Sequence, residues 1–354
     1  MTEKKIRGVS RRDVLKGSAV ATVGVAAGTM GFPSITRSQQ QKKFLKPIVA
    51  GLNGKEMDPT TQSISLIPKI LREKYDVDMK IEVHSASTLG TDIGQLDAVK
   101  TGFIDITSNA TAAFSGYSKA LILMDLPYLF NDWDHALRFI KTSDLLKKQV
   151  VQMEKDYGVK LLPFVGAGGY RMLTNRRRAL QSPKDVAGLK FRGSAGGSPA
   201  DFNLIKGWGG NPTPVPFVET YTAIQQGVVD GMYIQPIWTY NFNFHEVAKF
   251  TTLTGGVWVA QMQVMNINTW NAMPEPIQKA FMLAAQDAAD QMNILDRRLE
   301  GEMLANLKAK GQQIYEPSAA EMKEFKDIGL AMWDDESKTN VPASIVKEAR
   351  DFKA

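Results

Sequence analysis

Short apolar segments alternate with amphipathic segments after the N-terminus, and this alternation restricts the fold to the α/β class. Lys46–Asn53 is an apolar run that ends in turn residues, and Asp78–His84 alternates polar with apolar residues as a half-covered strand does. Thr60–Tyr75 carries apolar residues at helical spacing. A helix over Asp92–Thr101 and a strand over Ile104–Ser108 continue the series. The order strand–helix–strand–helix–strand predicts a doubly wound α/β unit.

The rest of the chain continues this pattern. We predict a strand over Val159–Val165 and a flexible glycine-rich crossing over Gly166–Gly169. Further strands are predicted over Gly188–Arg192 and Val228–Tyr233, with a helix over Phe217–Gln226 between them. Near the C-terminus, Thr269–Ala309 is predicted to be helical and broken only at Pro274 and Pro276.

The N-terminal 38 residues have the organisation of an export signal. Ser10–Lys16 matches the twin-arginine signature, and the apolar run of small residues Gly17–Gly31 is too short for the ~20 residues of a spanning helix. We predict a removable twin-arginine signal over residues 1–38, cleaved after Ser38, and hence a periplasmic protein. An amphipathic or core helix is the alternative interpretation of this segment.

Charge and cysteine content exclude several functions. Seven of the 43 Lys/Arg and two of the 37 Asp/Glu lie in residues 1–38, which leaves 36 basic and 35 acidic residues in the mature chain. A nucleic-acid or anionic-membrane surface is therefore not expected. Because the chain has no cysteine, a lipid-anchored lipoprotein, a disulfide and a thiolate metal site are excluded. About 316 mature residues exceed what one hydrophobic core usually spans, so two domains are expected.

Two segments resemble a family of transport receptors. Gly168–Gly193 (GGYRMLTNRRRALQSPKDVAGLKFRG) and Asn211–Gly231 (NPTPVPFVETYTAIQQGVVDG) are similar to the core of the DctP-type solute-binding proteins of tripartite ATP-independent periplasmic (TRAP) transporters. Leu89-Gly90, the Gly-x-x-Asp of Gly102–Asp105 and the Asp-Leu-Pro segment of Met124–Phe130 also match family positions.

The resemblance implies an α/β, two-lobed periplasmic binding protein of the TRAP type, similar to class II, with hinge strands and a long helix spanning both lobes. Lobe I is expected to comprise residues 39–168 plus 257–296, and lobe II residues 169–256 plus 297–354. The implied partners are a small organic carboxylate and the integral-membrane subunits of a TRAP transporter. A monomer and a dimer are both compatible with the sequence.

The resemblance also implies a carboxylate clamp. Arg192 matches the family arginine that forms a two-pronged salt bridge to the ligand carboxylate, which suits a planar guanidinium. The alternatives are an exposed arginine at a strand end or a structural pair with an acid such as Asp230. Arg171, in Gly-Gly-Tyr-Arg, is expected to contact the ligand or to form a structural salt bridge. Phe217 is expected to flank the ligand or to be core material.

The sequence departs from the family after Asp230-Gly231. Where many members have Gln-Glu-Asn-Pro, this chain has Met-Tyr-Ile-Gln-Pro, so Tyr233 and Ile234 replace the Glu and Asn. We predict Tyr233, Gln235 and Trp238 as ligand contacts, with Gln235 the remaining polar anchor. These residues favour a ligand with one carboxylate and an apolar or aromatic body. The loss of the Glu argues against a metal-bridged mode, and no cofactor is expected. Asn109, at a strand end, is a further predicted contact.

Catalytic motifs are not found. The chain has three histidines, no Gly-x-Ser-x-Gly elbow and no cysteine nucleophile, and its glycine turns match neither a dinucleotide nor a phosphate loop. An enzyme is therefore the least favoured class. The alternatives to a TRAP receptor are a receptor of the same fold that serves a sensor or another transporter, and an exported enzyme that acts on a small acid.

Overall fold

A computed structural model describes residues 47–195 and 197–352. The predicted signal and its cleavage site after Ser38 lie outside these residues. Within them the chain forms two mixed sheets with helices packed around both, as the α/β prediction requires. None of the helices in this part of the chain has both the length and the apolar composition needed to cross a membrane.

The first sheet has the strand order β2-β1-β3-β11-β4, and β5 also pairs with β11. Its strands are β1 (Ile48–Leu52), β2 (Ile81–His84), β3 (Ile106–Ala110), β4 (Val159–Leu161), β5 (Val165–Tyr170) and β11 (Trp258–Asn266). Strand β1 runs parallel to β2 and β3, while β11 runs antiparallel to β3, β4 and β5. The parallel part is the doubly wound unit that the alternation of strands and helices predicts.

The second sheet has the order β12-β10-β6-β9-β7-β8. Its strands are β6 (Met172–Asn175), β7 (Lys190–Ser194), β8 (Asn211–Val215), β9 (Gly231–Ile234), β10 (Phe250–Thr252) and β12 (Gln313–Tyr315). Strand β7 runs parallel to β8 and β9, so the carboxyl ends of these strands lie at one edge of the sheet. Arg192 lies on β7 near this edge.

The helices follow the local signals in the sequence. They are α1 (Pro59–Ser65), α2 (Ile67–Tyr75), α3 (Asp92–Thr101), α4 (Trp133–Thr142), α5 (Asp144–Tyr157), α6 (Pro183–Val186), α7 (Pro199–Gly207), α8 (Thr220–Gln226), α9 (Pro236–Asn241), α10 (Ile267–Ala272), α11 (Glu275–Ala309), α12 (Ala319–Ala331), α13 (Glu336–Thr339) and α14 (Ala343–Asp351). Short 3-10 turns occur at Thr111–Phe114, Lys119–Asp125, Phe217–Glu219 and Phe244–Glu246.

Two of the predicted helices are divided or begin differently. The helix predicted over Thr60–Tyr75 is two helices that meet at Leu66, because Pro68 has no N–H to continue the helical hydrogen-bond ladder. The helix predicted over Phe217–Gln226 begins with a 3-10 turn before α8. The long C-terminal helix is interrupted before Glu275, as its prolines predict.

The glycine-rich crossing between the sheets contains a regular strand. Gly166–Gly169 lies inside β5, which pairs with β11, and the chain passes into the second sheet at Arg171. The residues predicted as a flexible crossing thus form a regular strand, because both the partner strand and helix α11 satisfy its hydrogen-bonding groups, and flexibility there stays a prediction. A second crossing runs from β10 to β11.

Helix α11 links the two halves of the hydrophobic core. Its residues Phe281 and Ala284 pack in the cluster on one face of the first sheet, together with Ile48 and Ile64. Further along, Met303 packs in the cluster of the second sheet. The helix therefore packs against both sheets, as predicted for the backbone helix of a two-lobed receptor. The residue ranges given above for the two lobes stay a prediction, and Val346 of α14 packs in a cluster of the first sheet.

Candidate ligand-binding site

A small cavity lies between the two sheets. The first-sheet side contributes Asn53, Asp92 and Gln261, and the space open to water-sized groups is about 60 Å³. The other side contributes predicted site residues: Arg171, Arg192, Phe217, Tyr233, Gln235 and Trp238. The structure therefore brings together six of the seven residues that the sequence singles out, although they are spread over 68 positions from Arg171 to Trp238.

Arg192 is held at the cavity by its backbone strand and by one hydrogen bond. Its Nε donates to the carbonyl oxygen of Val215 on the neighbouring strand, at 3.0 Å. The centre of the guanidinium lies 5.6 Å from the centre of the Phe217 ring, within the range of a cation–π contact. Burial lowers the pKa of Arg192 to about 10, so the side chain remains charged at neutral pH. Among the described residues, neither of its two terminal nitrogens has a hydrogen-bond partner, so both can bind a ligand.

The alternative pairing of Arg192 with a structural acid is not seen. Asp230 instead accepts a hydrogen bond from Nε of Arg177, at 2.7 Å. Across residues 47–195 and 197–352, Arg192 forms no salt bridge with any carboxylate. A partly buried cation without a direct ionic partner is unfavourable, and an anionic ligand would supply that partner.

Arg171 has a different environment, because it is already neutralised. Its guanidinium forms an ion pair with Asp201, and both side chains are buried. Burial lowers the pKa of Arg171, and the nearby charge of Asp125 opposes this effect. In turn, burial raises the pKa of Asp125 to about 6 against the opposing effect of Arg171. This geometry matches the alternative in which Arg171 forms a structural salt bridge. A contact between Arg171 and the ligand stays a prediction.

Gln235 and Trp238 both hold the crossing strand. The side-chain amide of Gln235 donates to the carbonyl oxygen of Ala167 at 2.6 Å, and the indole N–H of Trp238 donates to the same oxygen at 3.1 Å. Phe217 meets Trp238 edge-on with ring centres 5.2 Å apart. These residues line the cavity and also brace β5, so their predicted ligand contacts remain predictions.

Tyr233 and Asn109 are both buried but differ in position. Tyr233 lies on β9, lines the cavity, and has its ring 6.0 Å from the guanidinium of Arg171. Asn109 does not line the cavity. Its side-chain amide donates to Oγ1 of Thr107 at 2.9 Å on the face of the first sheet that α3 covers. Its predicted role as a ligand contact is therefore not supported by this geometry.

Three polar residues that line the cavity from the first-sheet side, Asn53, Asp92 and Gln261, are not among the residues predicted from the sequence. Gln261 links to the others through hydrogen bonds: it accepts from Oγ of Ser108 at 2.5 Å and donates to Oδ1 of Asn53 at 3.0 Å. Asn53 follows β1 directly, and polar residues at the carboxyl ends of parallel strands are a known signal of a binding edge. Asp92 begins α3 after the Leu89-Gly90 turn. Gln261 lies within the fully buried strand β11, where a polar side chain needs a partner.

Helix α11 supplies the hydrogen-bond acceptors for the crossing strand. The backbone N–H groups of Gly166, Gly168 and Tyr170 donate to Asn293 at 2.7 Å, Asp296 at 2.8 Å and Glu300 at 2.9 Å, respectively. The three acceptors lie three and four residues apart, so they share one helix face, while the donors alternate along the strand.

Comparison with protein families identifies the kind of molecule that carries this site. Residues 51–339 match the family model described as "Bacterial extracellular solute-binding protein, family 7". The chain belongs to this family. It is therefore a solute receptor and not an enzyme, as the absence of catalytic motifs predicts. The match covers parts of both sheets and includes every residue that lines the cavity.

Relatives with described ligands are moderately similar. The 2,3-diketo-L-gulonate-binding periplasmic protein YiaO of Escherichia coli is 27% identical over 292 residues, covering 81% of this chain and 84% of the relative. The C4-dicarboxylate-binding periplasmic protein DctP of Vibrio cholerae is 28% identical over 247 residues, covering 68% and 71%. The family and these relatives support a periplasmic location.

Solved structures show the same fold. A TRAP periplasmic solute-binding protein from Sulfurospirillum deleyianum, with bound succinate, superposes with a TM-score of 0.80 at 23% identity, over 87% of this chain and 99% of that one. One from Haemophilus influenzae, with bound L-gulonate, gives 0.80 at 22% identity, over 86% and 99%. The two-lobed TRAP-type fold predicted from the sequence is thereby confirmed.

Proposed function

We propose that this receptor binds a small organic acid in the cavity between its sheets, with Arg192 as the principal anion-binding residue, and delivers it to TRAP membrane subunits. The observation that carries the proposal is a charged, partly buried guanidinium at the cavity, whose two terminal nitrogens have no hydrogen-bond partner among the described residues. A carboxylate matches that fork with two parallel charge-assisted hydrogen bonds. Solved structures of the same fold with bound succinate and bound L-gulonate support the same class of ligand.

Ligand entry requires the two sheets to separate. The open space of about 60 Å³ is far below the roughly 300–1,000 Å³ typical of ligand pockets, and Asn53 and Arg192 line it from opposite sides. The crossings at Arg171 and between β10 and β11 are the places where such a hinge motion would occur. Closure would then exclude water from the ion pair and strengthen it.

The receptor test is a thermal-shift screen of residues 39–354, unfolded and refolded first to remove carried ligand. The panel contains aliphatic, aromatic, 2-oxo and dicarboxylic acids, with neutral sugars and amino acids for comparison. A ligand at about 100 times its dissociation constant adds about 2.7 kcal/mol of stability. Stabilisation by acids is expected. Stabilisation by neutral compounds alone would exclude the arginine clamp.

We also propose export by the twin-arginine pathway. Arg11 and Arg12 precede a weakly apolar segment of small residues, which is the arrangement expected of such a signal. The test is to follow the full-length chain in a bacterial host after changing both arginines to lysine. Loss of the periplasmic form is expected, with a chain altered at Lys4 and Lys5 as the control. Unchanged export of the Arg11→Lys/Arg12→Lys chain would exclude this pathway.

A further inference from the structure

Asp92 is an unexpected acid in a cavity built for anions. It is the first residue of α3 and lines the cavity from the first-sheet side, while Arg192 lines it from the second. Burial raises the pKa of Asp92, and the nearby charge of Arg192 and the side-chain amide of Asn53 oppose that rise. The charges of Asp92 and Arg192 therefore influence each other across the cavity.

Asp92 and Arg192 do not neutralise each other by contact. A salt bridge would need a nitrogen–oxygen distance of 4.0 Å or less, and none joins them. Oδ1 of Asp92 is buried and has no hydrogen-bond partner in the described part of the chain. Because an unsatisfied buried carboxylate oxygen is costly, the residue has hydrogen-bonding capacity that a ligand can use.

The pattern of charges limits what the ligand can carry. Of the two arginines that line the cavity, Arg171 is paired with Asp201, so Arg192 is the one that can bind a ligand carboxylate. Asp92 lines the opposite side of the cavity. A second carboxylate on the ligand would meet the negative charge of Asp92. A hydroxyl or ammonium group there would instead donate a charge-assisted hydrogen bond.

We propose that Asp92 determines specificity by accepting a hydrogen bond from the ligand, so that the receptor selects acids with a hydroxyl or ammonium donor near one carboxylate. This inference rests on the proposed function. The neighbouring amide of Asn53 favours a hydroxyl, since a hydroxyl can donate to Asp92 and accept from an amide at the same time, whereas an ammonium group only donates. The aromatic wall of Phe217 and Trp238 would cover the ligand's carbon chain.

The first test compares matched acids by calorimetry on refolded residues 39–354. One series is butyrate, its 2-, 3- and 4-hydroxy derivatives, erythronate, 2-aminobutyrate and succinate; the other is hexanoate, gluconate, 2-aminohexanoate and adipate. At least one donor-bearing acid is expected to bind about tenfold or more tightly than its parent acid. The hydroxy and amino members distinguish the two kinds of donor.

Each result has a distinct meaning. Equal or tighter binding of the parent acids or the dicarboxylates would overturn the role of Asp92 and leave the acid receptor intact. If no acid binds in either series or in the wider screen, the proposed function itself fails, and this inference fails with it.

The second test changes the acceptor. Asp92→Asn removes the charge and keeps the size, and Asp97→Asn, an exposed position on the same helix, is the matched control. In Asp92→Asn, the preference for the donor-bearing acid over its parent is expected to fall about tenfold, and succinate or adipate should bind more tightly. A uniform loss of affinity for all acids would show a structural role and contradict the proposal. Thermal unfolding of both variants verifies that they fold.

Discussion

The backbone N–H of Gly168 donates a 2.8 Å hydrogen bond to Oδ2 of Asp296 on helix α11. This bond joins the strand that leads from the first sheet into the second to the helix that packs against both. Gly166 and Tyr170 make corresponding bonds to the same helix. These three bonds fix the position of the strand along the helix. Because the donors are backbone N–H groups, the bonds form only where the side chains leave room for strand and helix to approach closely.

We expect Gly168→Ala to destabilise the receptor by about 2–4 kcal/mol, from a left-handed backbone and from overpacking. Gly168 has a φ of 89°, and an added Cβ would lie 2.1 Å from Cγ2 of Ile237. Gly188→Ala is the matched control, because φ there is 78° but nothing lies within 4 Å. Urea unfolding measures both, and equal losses would contradict the steric argument.

The pH dependence of stability should reveal Asp296. Burial, together with the nearby carboxylates of Glu300 and Asp58, raises its pKa to about 7, against the effect of the Gly168 N–H. A folded-state pKa above the unfolded value of 3.8 means that the folded protein binds the extra proton. This contribution is fully present below pH 3.8 and is lost as the pH rises towards 7, with a slope of up to about 1.4 kcal/mol per pH unit.

We therefore expect Asp296→Asn to flatten the fall of unfolding free energy between pH 4 and 7 relative to the unmodified receptor. Asp287→Asn, a partly exposed carboxylate on the same helix, provides the control and should leave the slope unchanged. Urea unfolding at several pH values gives the slopes. Parallel curves for the receptor and Asp296→Asn would show that this carboxyl group titrates normally.

Arg192→Lys should lower the affinity for the bound acid at least about tenfold, because lysine keeps the charge but loses the planar fork. Stability in the absence of ligand should change little. Arg177→Lys changes an arginine that pairs with Asp230 and does not line the cavity, so its affinity should be unaltered. Calorimetry decides, and unchanged binding in Arg192→Lys would remove this residue from the site.

Arg171 should behave mainly as a structural cation. Arg171→Gln leaves the buried Asp201 without its ionic partner, a change that typically costs about 3–5 kcal/mol. Arg171→Gln/Asp201→Asn should recover a large part of that loss, since no unpaired charge remains. Urea unfolding of the single and double variants completes the cycle. Normal stability of Arg171→Gln with loss of ligand affinity would instead indicate a direct ligand contact.

Local sequence patterns predicted the cavity residues that lie within family motifs. Arg171, Arg192 and Phe217 lie in the two segments that resemble the family, and all three line the cavity. Asp92 and Gln261 were missed because nothing in their immediate sequence indicates that they face the same space. Their proximity depends on β1, β3 and β11 being neighbours in one sheet, a pairing between residues more than 150 positions apart.

The sequence by itself determined the α/β class, the prolines that divide the helices, the family and the identity of the two arginines. These features depend on residue type and on neighbours a few positions away. Tertiary structure decided which arginine is free: Arg171 meets Asp201, thirty positions further along, and Arg192 faces Asp92 without touching it. It also turned the glycine-rich crossing into a paired strand, because the acceptors for its N–H groups come from a helix about 130 residues away. Charge pairing and backbone satisfaction depend on distances in space, which local sequence does not specify.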